Sequence, residues 1–182
     1  MRLISLEHGK WAYRADFALY ACAIVILAVA LAVATPRAEA AQAALLVLGG
    51  VAAWSLLEYL LHRFVLHGVR PFSDWHAQHH KRPTALIYTP TVISATLIFV
   101  LMFLPALALG NLWIGCALTL GLVGGDFLYA ITHHATHHWH TENAWVRRRQ
   151  RSHAVHHSTA TRAGNYGVTS GLWDRVFGSA NG

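Results

Sequence analysis

Four long apolar runs constrain the fold of this 182-residue chain more than any other feature. They span residues 17–34, 43–61, 91–109 and 112–131. Each contains 18 to 20 residues, close to the ~20 that an α-helix needs to cross a hydrocarbon core. Only 12% of the residues are charged, whereas soluble domains average roughly 25%. The sequence therefore predicts an all-α integral membrane protein with four transmembrane helices.

Short turn sequences connect these runs in pairs. Residues 35–37 (Thr-Pro-Arg) separate the first two runs, and residues 110–111 (Gly-Asn) separate the last two. Both sequences favour tight reversals, so we expect two helical hairpins. Pro105 should kink the third helix without ending it. The whole chain, residues 1–182, is predicted to form a single membrane-embedded domain.

The basic residues predict the orientation of the bundle. Of 14 Lys and Arg residues, all but Arg37 lie before the first run, between residues 63 and 82, or after residue 131. By the positive-inside rule, both termini are cytoplasmic, and residues 62–90 and 132–182 form a cytoplasmic helical cap. The net charge of +6 fits an anionic membrane surface better than nucleic acid, because the sequence offers no soluble module to read a duplex.

Two segments allow alternative interpretations. Basic residues precede the first run, and Ala38-Glu39-Ala40 has the form of a signal-peptidase site. The run is longer than the usual apolar region of about 7 to 15 residues, which favours a retained membrane helix over a cleaved signal peptide. Residues 139–157 mix Trp and Val with four arginines. That pattern predicts either an interfacial helix or a solvated basic helix.

Histidine is the unusual residue, with 14 copies, as many as Lys and Arg together. Twelve of them fall into four boxes, at residues 62–67, 76–80, 133–138 and 153–157. Because histidine is costly inside a bilayer, their common placement at the predicted cytoplasmic face indicates a shared role. The remaining two, His8 and His140, are predicted to be ordinary interfacial residues.

The spacing within the boxes predicts metal ligands on helices. Residues three or four apart share a helix face, so His133 and His137 can aim at one point. His62 and His67 are five apart, about 140° around an ideal helix, and can share an ion only through a frayed or π-bulged turn. His134 faces about 100° away from His133 and is predicted to lie outside the ligand set.

Ten histidines suit two metal ions with five nitrogens each, whereas one closed zinc site uses four ligands. An eleventh candidate, His138, follows directly after His137. The candidate ligands are His62, His67, His76, His79, His80, His133, His137, His138, His153, His156 and His157. Imidazole accepts Fe, Zn, Cu or Ni, so the spacing leaves the metal open.

Further polar residues precede ligand candidates on the same helices, namely Glu58, Asp126 and Tyr129. A carboxylate in such a position can accept the free ring N–H of a ligating imidazole, which fixes the tautomer and raises the basicity. The sequence contains no Ser-His-Asp arrangement, Walker loop or GxGxxG motif that would indicate a different chemistry.

The boxes HxxxxH, HxxHH, HxxxHH and HxxHH, followed by the tail NYGVTSGLWDRVFG at residues 165–178, resemble the fatty acid hydroxylase/sterol desaturase superfamily of integral-membrane di-metal oxygenases. The resemblance covers residues 58–178, about two-thirds of the chain, and is strongest to the membrane fatty acid 2-hydroxylases. It implies that the candidate histidines other than His138 hold two iron ions, which can purify as zinc. The centre would use O₂ to hydroxylate a lipid C–H bond, with a fatty acyl chain as the favoured substrate and no catalytic residue beyond the metal centre.

The resemblance also implies a separate electron donor. Fungal and animal fatty acid 2-hydroxylases often carry a fused cytochrome b5 domain, and the segment before the first apolar run is too short to be one. A ferredoxin or cytochrome with its reductase should therefore supply electrons. Four arginines are candidates for receiving an acidic carrier or for binding lipid phosphate, namely Arg147, Arg148, Arg149 and Arg151. Tyr166 and Trp173 are candidates for covering the site or anchoring the tail, and Asn165 and Asp174 share this ambiguity.

Two alternative functions are considered. Within the same superfamily, the chain would hydroxylate or desaturate a carotenoid ring, a sterol methyl group or a sphingoid base. In a different class, it would be a histidine-rich metal transporter. A transporter should place its ligands near the bilayer midplane on broken helices. Here the histidines lie at one end of the predicted bundle, which favours the enzyme.

Overall fold

The structure, a computed structural model, describes residues 7–87, 91–158 and 164–181. Within these ranges the regular structure is helical, apart from an isolated antiparallel bridge between Glu7 and Ile87. The α-helices of the described residues are α1 (Lys10–Ala34), α2 (Ala40–Leu60), α3 (Phe72–Lys81), α4 (Thr91–Ile98), α5 (Leu104–Leu109), α6 (Leu112–His138), α7 (Ala144–His157) and α8 (Leu172–Val176). A 3₁₀ helix (Arg37–Glu39) precedes α2, and π-helices follow α2 (Leu61–Leu66) and α4 (Phe99–Phe103).

Four helical segments among the described residues are long and apolar enough to span a membrane. They are Lys10–Ala34, Arg37–Leu66, Val92–Leu109 and Leu112–His138. This confirms the predicted all-α, four-span architecture. The first, second and fourth spans are longer than predicted, because hydropathy locates the apolar part of a helix, while backbone hydrogen bonding continues into polar residues. Aliphatic side chains exposed on α1, such as Val25, Val29 and Val33, suit contact with lipid.

The third span continues through Pro105, as predicted. Pro105 lies in the first turn of α5, directly after the π-helix Phe99–Phe103. Proline lacks an N–H and its ring clashes with the carbonyl four residues earlier. The wider π turn before it accommodates both effects.

The described parts of residues 8–54 and 89–127 form one compact unit. In this unit α2 and α6 touch through their backbones: a Cβ atom added to Gly50 would lie 2.9 Å from Cα of Gly121. Small residues permit such close approach of membrane helices. The Tyr20 ring of α1 stacks on Phe127 of α6 with 5.4 Å between centroids, and the Tyr20 hydroxyl donates to Asp126 at 2.7 Å.

The second compact unit contains the described parts of residues 1–7, 55–88 and 128–182, and therefore all four histidine boxes. Its tail is fastened to α2, because Trp173 Nε1 donates to Ser55 Oγ at 3.0 Å. The Phe177 ring stacks on Tyr59 with 5.3 Å between centroids. For Trp173, the structure therefore shows the anchoring contact that was one of its two predicted roles. At the start of α7, the Asn143 side chain accepts two backbone N–H groups as an N-cap.

Candidate metal centre

Ten of the eleven candidate histidines converge in two groups of five. The first histidine group contains His62, His67, His76, His80 and His156. The second histidine group contains His79, His133, His137, His153 and His157. Each histidine of a group contributes one ring nitrogen, and the five nitrogens of that group all lie within 4.8 Å of one another. The grouping matches the division into two sets of five that the histidine count suggested.

The π-helix Leu61–Leu66 brings His62 and His67 into the same group. On an ideal α-helix, side chains five residues apart diverge by about 140°. A π turn is closed by hydrogen bonds between residues five apart, so it returns the chain to the same face over this spacing. The ring centroids of His62 and His67 lie 5.3 Å apart. Of the two turns that the sequence left open for a shared ion, frayed or π-bulged, the structure has the π-helix.

Helices α3 and α7 each supply ligand candidates to both groups. On α7, His153 and His157 are four residues apart and enter the second group, while His156 enters the first. On α3, His76 and His80 enter the first group, while His79 enters the second. The rings of His80 and His157 stack with 4.1 Å between centroids. The two groups therefore lie side by side, as a paired metal centre requires.

The ring nitrogens of the first group are too close to be satisfied by one another. His76 Nε2 lies 3.0 Å from His62 Nε2, 3.1 Å from His67 Nε2 and 3.0 Å from His80 Nε2. A neutral ring nitrogen carries one proton or one lone pair, so it cannot pair with three neighbours. Nitrogens at right angles around one ion, each about 2.1 Å from it, are about 3.0 Å apart. The donor set therefore fits a shared metal ion.

The second group shows the same convergence. His153 Nε2 lies 2.9 Å from His137 Nε2 and 3.0 Å from His157 Nε2. His133 Nε2 lies 3.1 Å from His79 Nε2. In both groups the Nε2 atoms point inward, which leaves each Nδ1 atom on the outside of its group.

Burial keeps the imidazoles outside the spans in their neutral form. It lowers the pKa of His79 to about 3 and the pKa of His67 and His80 to about 4, with neighbouring imidazoles adding to the effect. Desolvation disfavours the charged ring, and a second positive charge nearby would do the same. At neutral pH these rings present lone pairs, which is the state that binds a metal.

Backbone carbonyls of the tail, instead of carboxylates, lie behind the first histidine group. His62 Nδ1–H donates to the carbonyl oxygen of Tyr166 at 2.5 Å, and His156 Nδ1–H donates to that of Gly164 at 2.8 Å. Backbone carbonyls carry no residue-type signature, so sequence reasoning missed both. Only the NYG part of the tail motif drew attention to this segment.

The two carboxylates expected behind the ligands bind elsewhere, so the structure corrects this prediction. Glu58 accepts the backbone N–H groups of Val168 at 2.6 Å and Thr169 at 2.9 Å. Asp126 accepts the Tyr20 hydroxyl. The backbone N–H groups of the tail and the Tyr20 hydroxyl are buried donors, and a buried donor needs an acceptor as much as an imidazole N–H does. Tyr129 does contact a ligand candidate, since its ring lies parallel to His133 with 5.7 Å between centroids.

The Tyr166 ring covers one side of the first histidine group. Its centroid lies 5.8 Å from that of His62, 5.4 Å from His67 and 5.4 Å from His156. The Arg63 guanidinium lies over the same ring at 5.7 Å. Burial raises the pKa of the Tyr166 phenol above its ordinary value, so the hydroxyl stays protonated at neutral pH.

His138 lies outside both groups and is exposed. Helix α6 continues regularly through this residue, so His138 follows His137 on the next face. There its ring stacks with His134, with 4.6 Å between centroids. The eleventh candidate is thus separated from the ten that converge, and His134 lies outside the groups as predicted.

The basic run on α7 has two environments. Arg147, Arg148 and Arg151 are exposed, whereas Arg149 is only 6% exposed. The Arg149 guanidinium donates to the Gly167 carbonyl at 3.5 Å. A surface for an anionic partner on this helix therefore excludes Arg149.

Comparison with known proteins identifies the class to which this fold and site belong. The family model described as fatty acid hydroxylase matches residues 47–179. The chain is a member of the fatty acid hydroxylase family.

Individual relatives agree with this assignment. A dihydroceramide fatty acyl 2-hydroxylase of Arabidopsis thaliana is 35% identical over 152 residues, covering 78% of this chain and 62% of the relative. A fatty acid 2-hydroxylase of Homo sapiens is 31% identical over 145 residues, covering 70% and 37%. The chain thus spans less than two-thirds of the length of these relatives. The solved structure titled "Full length scs7p (only hydroxylase domain visible)" shares the fold, with a TM-score of 0.73 and 24% identity, covering 93% of this chain and 67% of the other.

Proposed function

We propose that this chain is a membrane di-iron hydroxylase that inserts one oxygen atom into a C–H bond of a fatty acyl chain. The convergence of ten Nε2 atoms into two adjacent groups of five carries the proposal. The relatives support the substrate class, because their names describe hydroxylases of fatty acids and of dihydroceramide fatty acyl chains. Residues 1–182 act as one oxygenase domain.

The ten convergent histidines are the metal ligands in this proposal. When bound, the two iron ions supply the redox chemistry that activates O₂. The protein holds neutral imidazoles in place, and buries many of them away from water. Exclusion of water protects a reactive oxidant from side reactions. The ligand candidates lie at the ends of the second and fourth spans and beyond them, in place of the midplane position expected for a transporter.

The reaction needs electrons from outside the chain. Hydroxylation converts R–H, O₂, two electrons and two protons into R–OH and one water molecule. A separate ferredoxin or cytochrome with its reductase supplies the electrons. We assign its docking surface to the exposed Arg147, Arg148 and Arg151, because they lie on the helix that carries His153, His156 and His157. An acidic carrier would be attracted to these charges.

The metal centre faces the cytoplasm in this proposal. Most of the basic residues follow the second span or the fourth span, while Arg37 alone lies at the opposite end of the second span, as its first residue. Under the positive-inside rule, this asymmetry supports a cytoplasmic site and cytoplasmic termini. Reduced electron carriers are then available directly from that compartment.

Lipid mass spectrometry tests the function. Cells supplied with reductase and iron should express the wild type, a double variant His156→Ala with His157→Ala, and a control double variant His134→Ala with His138→Ala. The first double variant removes one ligand from each group. The control removes two neighbouring histidines outside both groups.

We expect a lipid with one added oxygen atom on its acyl chain in cells carrying the wild type or the control variant. Cells carrying the ligand variant should lack it. An unchanged lipid profile in wild-type cells, with iron bound to the protein, would contradict the hydroxylase. A hydroxylated sterol or carotenoid in place of an acyl product would contradict the substrate class alone.

A further inference from the structure

The peptide group between Tyr166 and Gly167 joins a buried carboxylate to the first histidine group. Its carbonyl oxygen accepts His62 Nδ1–H, and its N–H, on Gly167, donates to Asp174 Oδ2 at 2.8 Å. A peptide group is planar and rigid. By holding the N–H end, Asp174 therefore fixes the direction of the carbonyl that orients His62.

A second peptide group, between Gly164 and Asn165, makes a similar connection. Its carbonyl accepts His156 Nδ1–H, and its N–H donates to the Ser179 carbonyl at 2.9 Å. Ser179 is itself held by Asp174, since its N–H donates to the Asp174 carbonyl at 2.7 Å and its hydroxyl to Asp174 Oδ1 at 2.8 Å. Both connections from the first histidine group therefore end at Asp174.

The surroundings of Asp174 leave little freedom for either peptide. Asp174 is only 2% exposed, and its carboxylate also accepts the backbone N–H of Tyr166 at 2.8 Å. A Cβ atom on Gly167 would lie 3.0 Å from Asp174 Oδ2 and clash with the Ser170 carbonyl, so the close approach requires glycine. Asn165 adopts a left-handed conformation, with φ of 54°. Its side-chain nitrogen Nδ2 donates to the Asn181 carbonyl at 3.0 Å.

The second histidine group has no equivalent support at three of its five rings. The Nδ1 atoms of His79, His153 and His157 are buried without a hydrogen-bond partner among the described residues. A ligating histidine normally donates its other N–H to an oxygen, which fixes the ring and strengthens it as a ligand. The two groups thus have the same ligand count and different support.

We propose that Asp174 is a positioning residue that orients His62 and His156 through two peptide groups, and so makes the first histidine group the tighter of two unequal metal sites. This inference rests on the proposed function, since it assumes that both groups hold an ion. Loss of a partner behind a metal ligand typically costs about 10- to 100-fold in metal affinity. Asp174 supports two ligands of one group and contacts none of the other in the described structure.

Metal release from the detergent-purified holoprotein tests the proposal. Wild-type protein loaded with two ions per chain should lose them to an excess of chelator in two phases. Variants His67→Ala and His137→Ala assign the phases, because each disrupts one group. We expect the slow phase to belong to the first histidine group. Asp174→Asn should accelerate that phase about 10- to 100-fold and leave the fast phase unchanged.

Two further variants complete the design. Asp16→Asn, on α1 and far along the chain from every histidine box, should leave both phases unchanged. Ser179→Ala removes one hydroxyl donor to Asp174 and keeps the carboxylate. It should accelerate the slow phase to a smaller extent, and it provides the test if Asp174→Asn fails to fold.

The outcomes separate this proposal from the one on which it rests. Equal acceleration of both phases by Asp174→Asn would indicate a general structural role and overturn the inference. Release of two wild-type ions in a single phase, or an unchanged slow phase in the variants, would also overturn it. A wild-type chain that binds fewer than two ions would contradict the proposed di-metal function itself.

Discussion

His76 occupies the most connected position in the first histidine group. Its Nε2 atom lies within 3.1 Å of the Nε2 atoms of three other histidines. Its side chain is also buried. At the residue scale, His76 is therefore the ligand whose loss should be felt most directly.

Replacement of His76 by alanine should remove one of the two ions. The remaining four nitrogens of the first histidine group would surround a cavity open on one side, whereas the second group keeps all five. We expect the metal content to fall from about two to about one ion per chain. Elemental analysis of purified protein measures this content.

The matched control for this prediction is His140→Ala, since His140 is exposed and outside both groups. It should keep the full metal content. If His76→Ala retained two ions per chain, His76 would not be a ligand and the assignment of the first histidine group would be wrong.

Helical spacing pointed to eight of the ten convergent histidines, whereas His62 and His67 needed a disturbed turn, and His138, the eleventh candidate, lies outside both groups. Pairs such as His153 and His157 follow helical periodicity, which is a local property of the sequence. The partners of Nδ1 could not be predicted in this way. The partner of His62 is the backbone carbonyl of Tyr166, more than 100 residues later in the chain. The partner of His156 is the backbone carbonyl of Gly164, eight residues later.

At the scale of elements, the unusual helical turns coincide with functional or structural requirements. The π-helix Leu61–Leu66 allows two histidines five residues apart to meet. The π-helix Phe99–Phe103 precedes Pro105 in the third span. The first could be inferred from spacing once a shared metal was assumed. The second had only the proline as a signal, which predicted a disturbance without its form.

Contact between α2 and α6 depends on Gly50. A Cβ atom at this position would lie 2.6 Å from the Leu118 carbonyl oxygen and 2.9 Å from Gly121 Cα. Both neighbours are backbone atoms that cannot rotate away, so Gly50→Ala must push the two helices apart. We expect the free energy of unfolding to fall by about 1 to 3 kcal/mol, as in other overpacked sites. Thermal unfolding in detergent measures the change.

The adjacent glycine provides the control for this prediction. A Cβ atom on Gly49 would have no neighbour within 4 Å. Gly49→Ala should therefore leave stability unchanged or raise it by up to about 1 kcal/mol, because alanine favours the helix. Equal destabilisation by both substitutions would show that close packing at Gly50 is not the cause.

At the scale of the whole molecule, hydropathy and histidine spacing were sufficient to predict a four-span helical protein with paired histidine groups. Both signals repeat along the chain and need no knowledge of tertiary contacts. The tail was different. Glu58 meets Val168 and Thr169 across 110 residues or more of sequence, and its charge pointed equally well to a role beside the nearby His62. Whether Glu58 binds the tail N–H groups or His62 depends on tertiary packing, which a local sequence pattern does not contain.

The orientation of the whole chain gives the last prediction. Two cysteines can be introduced on opposite sides of the proposed topology. Arg37→Cys lies at the first residue of the second span, and Glu142→Cys lies between α6 and α7, each in a Cys22→Ala background. Both positions are exposed, and the remaining Cys116 is buried. In intact cells, a membrane-impermeant maleimide should label Arg37→Cys and leave Glu142→Cys unlabelled, because basic flanking segments stay in the cytoplasm.

Both cysteine variants should be labelled after lysis, and the Cys22→Ala parent should stay unlabelled throughout. Labelling of Glu142→Cys in intact cells would place the histidine groups outside the cytoplasm and remove the proposed direct access of a cytoplasmic electron donor.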